Sequence, residues 1–192
     1  MAVSEASLAR AASGLVPTSE GWFVVNAAES AWVANDSFGA RCPFEANGPA
    51  LRENPELAEH VFPQLGIKLH VLEPGKPSGL YHAESQQEDF LVLSGECLLL
   101  VEGQERRLRP WDFAHCPPGT AHVFVGTDAP CVLLMAGART EDGTIFYPVS
   151  DVAREHGASA EAETDSPHEA YAAHPHWHPG PAAAGGLPWE RS

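Results

Sequence analysis

The chain has 192 residues, with 26 acidic against 11 basic side chains and a formal net charge of −15. That length suits one domain of ordinary size with tails, and such a domain buries its own core without staples. The acidic balance argues against nucleic acid, since no basic stripe is there to displace counterions from phosphates, and against anionic membranes.

In chain order, "SEASLARAAS" at 4–13 carries good helix formers after Ser4 as a cap, with Gly14 as a stop, and predicts a helix. "GWFVV" at 21–25 predicts a short strand. "NPELAEHVFP" predicts a short helix with Asn54 as cap and Pro55 in its first turn.

From residue 67 the texture changes to short apolar runs, among them "IKLHVLEP", "DFLVLSG", "ECLLLVEG", "AHVFVG" and "PCVLLMAGA". Gly, Pro and Asp punctuate them at close intervals. Many short strands without intervening helical patterns predict an all-β sandwich or barrel. After "TIFYPVS" two short helices are predicted. One runs from Ser150 to a stop at Gly157, and the other opens on a capping box, Ser166 and Glu169, with Pro167 between. The end, "HPHWHPGPAAAGGLPWERS", reads as an extended, solvated tail, with His174, His176 and His178 in it. The predicted organisation is an N-terminal helical segment (1–20), a β-barrel domain (21–149) and a C-terminal helical extension with a flexible tail (150–192).

Cys42, Cys97, Cys116 and Cys131 are widely spaced with no CxxC. With no signal-peptide pattern at the N-terminus, reduced thiols and a cytoplasmic location are expected. Pairing of Cys97 with Cys116 or Cys131 stays open at this point. No stretch approaches the length of a membrane span.

"YHAESQQEDFLVLSGE" at 81–96 puts His82, Glu84 and Glu88 ahead of an apolar strand. Side chains two apart on a strand share a face, so His82 and Glu84 stand side by side if "LYHAE" is extended. Taken alone, this is either an acid-rich edge or a metal site. A second stretch, "WDFAHCPPGTAHVFVG", gives a strand, a Pro117-Pro118-Gly119 turn and His122 opening another strand. Such a turn returns the chain across its neighbour, where His122 can face the first cluster. Nearby, Cys116 reads as a small buried hydrophobe and His115 as its outward neighbour. His70 reads as a core or wall histidine.

These residues resemble the two motifs of the cupin superfamily. His82-x-Glu84-x3-Glu88-x6-Gly95 keeps the spacing of the first, and Pro117-x-Gly119-x2-His122 that of the second, over roughly residues 65–140. Four positions depart from the pattern. Glu84 replaces the second histidine, Gly79 lies off the place of the leading glycine, Trp111 replaces the opening glycine of the second motif, and Gly126 its closing asparagine.

The resemblance implies a double-stranded β-helix, the cupin jelly-roll barrel, with short flanking N- and C-terminal helices. It implies one divalent metal ion per chain, held by His82, Glu88, His122 and Glu84, with Glu84 either a fourth ligand or the catalytic base. A divalent cation beside two carboxylates and two neutral imidazoles sums to zero charge. The nitrogen and oxygen donors suit Fe, Mn or Zn, with Ni a further candidate. The implied function is action on a small organic molecule, with a dioxygenase-type oxidoreductase favoured. A sugar isomerase or lyase and a non-catalytic binding or sensor protein are the alternatives. The apolar strands weigh weakly against a sugar. A small-molecule ligand and a homodimer are the expected partners, with no nucleic acid and no membrane.

Overall fold

The fold comes from a computed structural model that describes residues 2–46, 61–180 and 187–191. The helix expected from Asn54 falls outside them.

The first prediction is corrected at once. Residues expected to be helical instead form a hairpin, β1 (Leu8–Ala11) against β2 (Gly14–Pro17). "LARA" offers one large apolar side chain and therefore no helical stripe to bury, and a helix that short is marginal without one. Strand pairing buries Val16 and Ala6 instead. Of the strand expected at 21–25, a single bridge from Trp22 to Glu5 is present.

The next strands, β3 (Val33–Asn35) and β4 (Gly39–Cys42), lead to β5 (Leu65–Leu72), β6 (Ala83–Glu84) and β7 (Glu88–Ser94). Then follow β8 (Cys97–Val101), β9 (Gln104–Leu108), β10 (Phe113–Cys116), β11 (His122–Gly126), β12 (Cys131–Ala138) and β13 (Ile145–Phe146). A last short strand, β14 (His178–Pro179), closes the series. One antiparallel sheet runs β10-β7-β12-β5-β4-β3-β14 and a second runs β11-β8-β9, while β13 pairs with β6. This is the expected all-β jelly roll. Among the described residues no helix is long and apolar enough to cross a membrane.

The core lies between the two sheets. Phe90, Val92, Leu133 and Met135 from the large sheet meet Leu99 and Phe124 from the small one. Phe90 and Phe124 pack with ring centroids 4.7 Å apart. The outer face of the large sheet is also covered, by Trp32 and Leu187 over Val71 and Val132. That double burial explains why these strands read as continuous apolar runs rather than alternating ones. Helix Asp151–Glu155 covers the small sheet and starts at Ser150, whose hydroxyl accepts from Ala153 N. Helix Pro167–Ala170 starts at Ser166, whose hydroxyl accepts from Glu169 N. Both caps are where the sequence puts them.

Two motif departures have a backbone explanation. Gly126 accommodates the loop beside it, because a Cβ there would lie 2.1 Å from Glu73 O. Trp111 has a φ of 75°, so the turn keeps the left-handed backbone that a glycine would adopt freely, and the indole stands 74% exposed. A bulky residue in that region is strained by roughly 1–2 kcal/mol. Trp111→Gly is therefore expected to raise stability by up to about 1 kcal/mol, after allowing for glycine's greater freedom when unfolded. Urea denaturation reads this directly, and a destabilised variant would show that the indole packs usefully.

Candidate metal centre

The site forms where two short stretches, distant in sequence, are bonded backbone to backbone. His82 N donates to His122 O at 3.2 Å and His122 N donates to His82 O at 2.8 Å. The Pro-Pro-Gly turn is tied to β6 as well, since Gly119 N donates to Glu84 O at 2.7 Å. The turn thus delivers His122 opposite the first cluster, as its sequence implies.

Each histidine has one ring nitrogen already committed. His82 Nδ1 lies 2.6 Å from Leu80 O, and His122 Nδ1 lies 3.0 Å from Thr120 O. A carbonyl only accepts, so both Nδ1 atoms carry hydrogen. Both Nε2 lone pairs are then left facing Glu88. Glu88 Oε2 is 3.4 Å from His122 Nε2 and 4.0 Å from His82 Nε2. Ligand atoms of His82, Glu88 and His122 all lie within 4.8 Å of one another. Backbone carbonyls that fix the tautomer and aim the ring in this way are a recurrent support for metal-binding histidines. Glu84 stands just outside this group, with Oε1 3.8 Å from His82 Nε2.

The contacts are not ion pairs, because the imidazoles stay neutral. Burial, and then the neighbouring His122, push His82 down to about 3, and burial lowers His122 too. Burial, and then Glu84, push the Glu88 carboxyl up to about 7. Burial also raises Glu84, against the pull of Lys68 and Arg139. Two neutral imidazoles and a carboxyl that resists ionising alone make a donor set that a cation would stabilise. The cluster can hold a divalent ion, and its nitrogen and oxygen donors without thiolate suit Fe, Mn or Zn.

The centre opens into a cavity of about 610 Å³. Its other walls include Arg41, Lys68, Tyr147, Tyr171 and Trp177, none of which the sequence reading singled out for function. Lys68 carried a signal. It shares parity with His70 inside an apolar strand, where an unpaired cation has no packing reason to be. Arg41, Tyr147, Tyr171 and Trp177 gave none, since only tertiary structure brings them here.

The expected solvated tail is also corrected over the described residues 174–180. His174, His176 and Trp177 line the cavity. Pro175 O accepts from Asn35 Nδ2 at 2.7 Å, β14 pairs with β3, and the His174 and Trp177 rings pack on Phe38. Aromatic side chains between prolines found an apolar partner, which composition alone does not reveal.

The remaining candidates have structural roles. His70 is buried, donates from Nε2 to Phe38 O at 2.8 Å, and is held near 3 chiefly by burial. Cys116 sits opposite Glu88 in the β10–β7 register but packs in the core, where burial pushes its thiol up to about 11. His115 is exposed beside Asp89. All four cysteines are free thiols.

Three neutral buried imidazoles have a consequence for acid stability. Unfolded, His70, His82 and His122 take up protons near the ordinary value of 6.5, whereas folded His70 and His82 resist protonation down to about 3. Below about pH 6.5 the three histidines of the unfolded chain bind protons that the folded ones refuse, which lowers stability as pH falls by up to ~1.4 kcal/mol per pH unit for each histidine, while Glu88, which folded keeps its proton up to about 7, offsets about one of them. Chelator-treated protein is expected to show a lower urea midpoint at about pH 5 than at about pH 7, beyond what its carboxylates account for. Equal midpoints would contradict it.

The family model for the cupin domain matches residues 68–137. An uncharacterized protein of Aquifex aeolicus is 36% identical over 63 residues, 33% of this chain and 51% of that protein. The match thus spans about half the length of that curated relative. A solved sugar phosphate isomerase from a cupin superfamily, from Silicibacter pomeroyi, is 31% identical, covers 62% of this chain and 68% of its own, and has a TM-score of 0.47. A Cupin 2 conserved barrel domain protein from Salinispora arenicola is 25% identical, covering 40% of this chain and 64% of its own, with a TM-score of 0.37.

Proposed function

The chain belongs to the cupin superfamily, and we propose that it is a metal-dependent enzyme acting by proton transfer on a small organic molecule. His82, Glu88 and His122 hold one divalent ion, and Glu84 is the base. The observation that carries this reading is the division of labour between the carboxylates. Both border the cavity, but Glu88 lies within 4.0 Å of both Nε2 atoms, while Glu84 approaches that of His82 alone, at 3.8 Å.

A bound divalent ion supplies Lewis acidity toward a substrate oxygen. Glu84 Oε1 takes a proton from the carbon next to that oxygen and returns it elsewhere on the molecule, or keeps it while a leaving group departs. Its raised proton affinity brings it nearer the working range of a base at neutral pH. Tyr147, whose phenol stays protonated and is directed to Tyr171, lies at a tilt with its ring 5.8 Å from the His82 ring at the cavity wall. This chemistry is that of an isomerase or lyase.

The preference differs from the one drawn from sequence for a physical reason. The apolar runs do supply Phe90, Val123, Phe124 and Met135 to the cavity, but the same wall carries Lys68, Arg41, Glu84 and two tyrosines, so it is amphipathic and can hold a polar substrate. A dioxygenase remains the second reading, supported by the two-histidine, one-carboxylate donor set common to non-haem Fe(II) oxygenases.

Metal content of untagged protein, by elemental mass spectrometry, tests the centre. About one ion per chain is expected in the wild type, with affinity reduced by at least ~10-fold in Glu88→Ala and retained in Glu84→Gln. Loss in Glu84→Gln would make Glu84 a ligand instead of the base, and no metal after refilling with Fe(II), Mn(II) or Zn(II) would leave a binding barrel. Metal-loaded protein incubated with small hydroxy and keto compounds in D2O then separates the readings. Deuterium uptake under argon supports proton transfer, and turnover that needs oxygen supports the dioxygenase.

A further inference from the structure

The large sheet presents one inward face whose charges the metal centre does not absorb. Lys68 and His70 alternate along β5 and share that face, and Arg41 stands directly opposite His70 on β4. Across β12, Met135 pairs with both Lys68 and Phe90, and Phe90 lies two residues from Glu88. The face therefore runs from the metal-facing carboxylate, across Phe90 and Met135, to a pair of cations.

Neither cation is matched locally. The Lys68 ammonium makes no hydrogen bond or ion pair with any described residue, and the same holds for the Arg41 guanidinium. Arg41 is held flat by Trp177, with its guanidinium carbon 3.8 Å from the ring centroid, which uses its face and leaves its N–H edge free. His70 between them is neutral, with its Nε2 hydrogen already given to Phe38 O. Both side chains are surrounded by protein yet border the cavity. Burial brings Arg41 down to about 10 and lowers Lys68, which also feels the Arg41 charge. Glu84 and Glu88 attract Lys68 from beyond ion-pair distance. With a divalent ion at the centre, those carboxylates are offset and two half-buried positive charges remain.

We propose that Lys68 and Arg41 form an oxyanion subsite, so that the substrate is a small organic anion with an oxygen function at the metal and a carboxylate or phosphate on this cation pair. This deepens the reading of the site as a metal-dependent enzyme. A planar guanidinium edge beside an ammonium suits the oxygens of either group, and a buried cation left unpaired discriminates strongly against a neutral analogue. Trp177 is a positioning residue that orients Arg41.

The test is calorimetric titration of full-length, metal-free protein, dialysed clear of chelator, so that an anion has no metal to bind. Succinate, inorganic phosphate and the neutral succinamide are the probes. Succinate or phosphate is expected to bind at least about tenfold more tightly than succinamide, and whichever binds tighter identifies the subsite's preferred group. Lys68→Met and Arg41→Gln are each expected to weaken the anion by roughly ten- to a hundredfold. Their circular dichroism and urea midpoints show whether they fold. The comparison of anion with neutral probe on the wild type stands even if they do not.

Equal binding of succinamide, no binding of either anion, or folded variants that bind like the wild type would overturn the subsite. Repeating the titrations on Glu88→Ala separates the two ideas. Anion selectivity that persists there supports the subsite whether or not the wild type holds metal. Metal bound by the wild type without anion selectivity overturns the subsite alone.

Discussion

The site depends on one reciprocal pair of backbone hydrogen bonds, that between His82 and His122. It joins a segment before the first long strand of the motif to the start of another in the second sheet. Without it the two imidazoles have no common neighbour, and Glu88 faces one wall only. Backbone bonds are well suited to this task, because they fix position without using the side chains. The ring nitrogens nearest the backbone are then tied to Leu80 and Thr120, so each histidine is oriented by its own strand. The backbone of each strand thus sets the direction in which its imidazole faces.

Electrostatics organise the rest of the cavity. Burial disfavours every charge there, and the groups respond differently. The imidazoles lose their protons, Glu88 resists losing one, and Arg41 stays cationic despite burial. Elsewhere the protein neutralises a buried charge within the chain, as where Glu45 receives Arg139 through both carboxylate oxygens. The contrast is informative. The chain can build a matched pair and has done so just past the ends of β4 and β12, but it has left the cavity cations unmatched among the described residues.

Much of this was legible in the sequence because it rests on local rules. The Pro117-Pro118-Gly119 turn, the positions of His82 and Glu88, and the caps at Ser150 and Ser166 follow from turn chemistry, strand alternation and capping. The N-terminal hairpin was not legible, since its residues favour a helix intrinsically and only pairing partners decide otherwise. The cavity's far wall was hidden for another reason. Arg41, Tyr147 and Trp177 come from three separate regions and meet only through sheet order. The two motifs supply the His82, Glu88 and His122 wall and contain nothing of the opposite one.

That last division has a structural consequence. The core between the sheets is built entirely from strands between β5 and β12. The segment from Pro167 to Trp177 packs outside it, secured by β14 and a side-chain bond from Asn35. A chain shortened before His174 would keep the packed interior that drives folding and lose a wall of its chamber. The interior between the sheets and this chamber wall are thus written in different stretches of one polypeptide. Substitution in the terminal stretch can change what the chamber admits while leaving the interior that folds the barrel untouched.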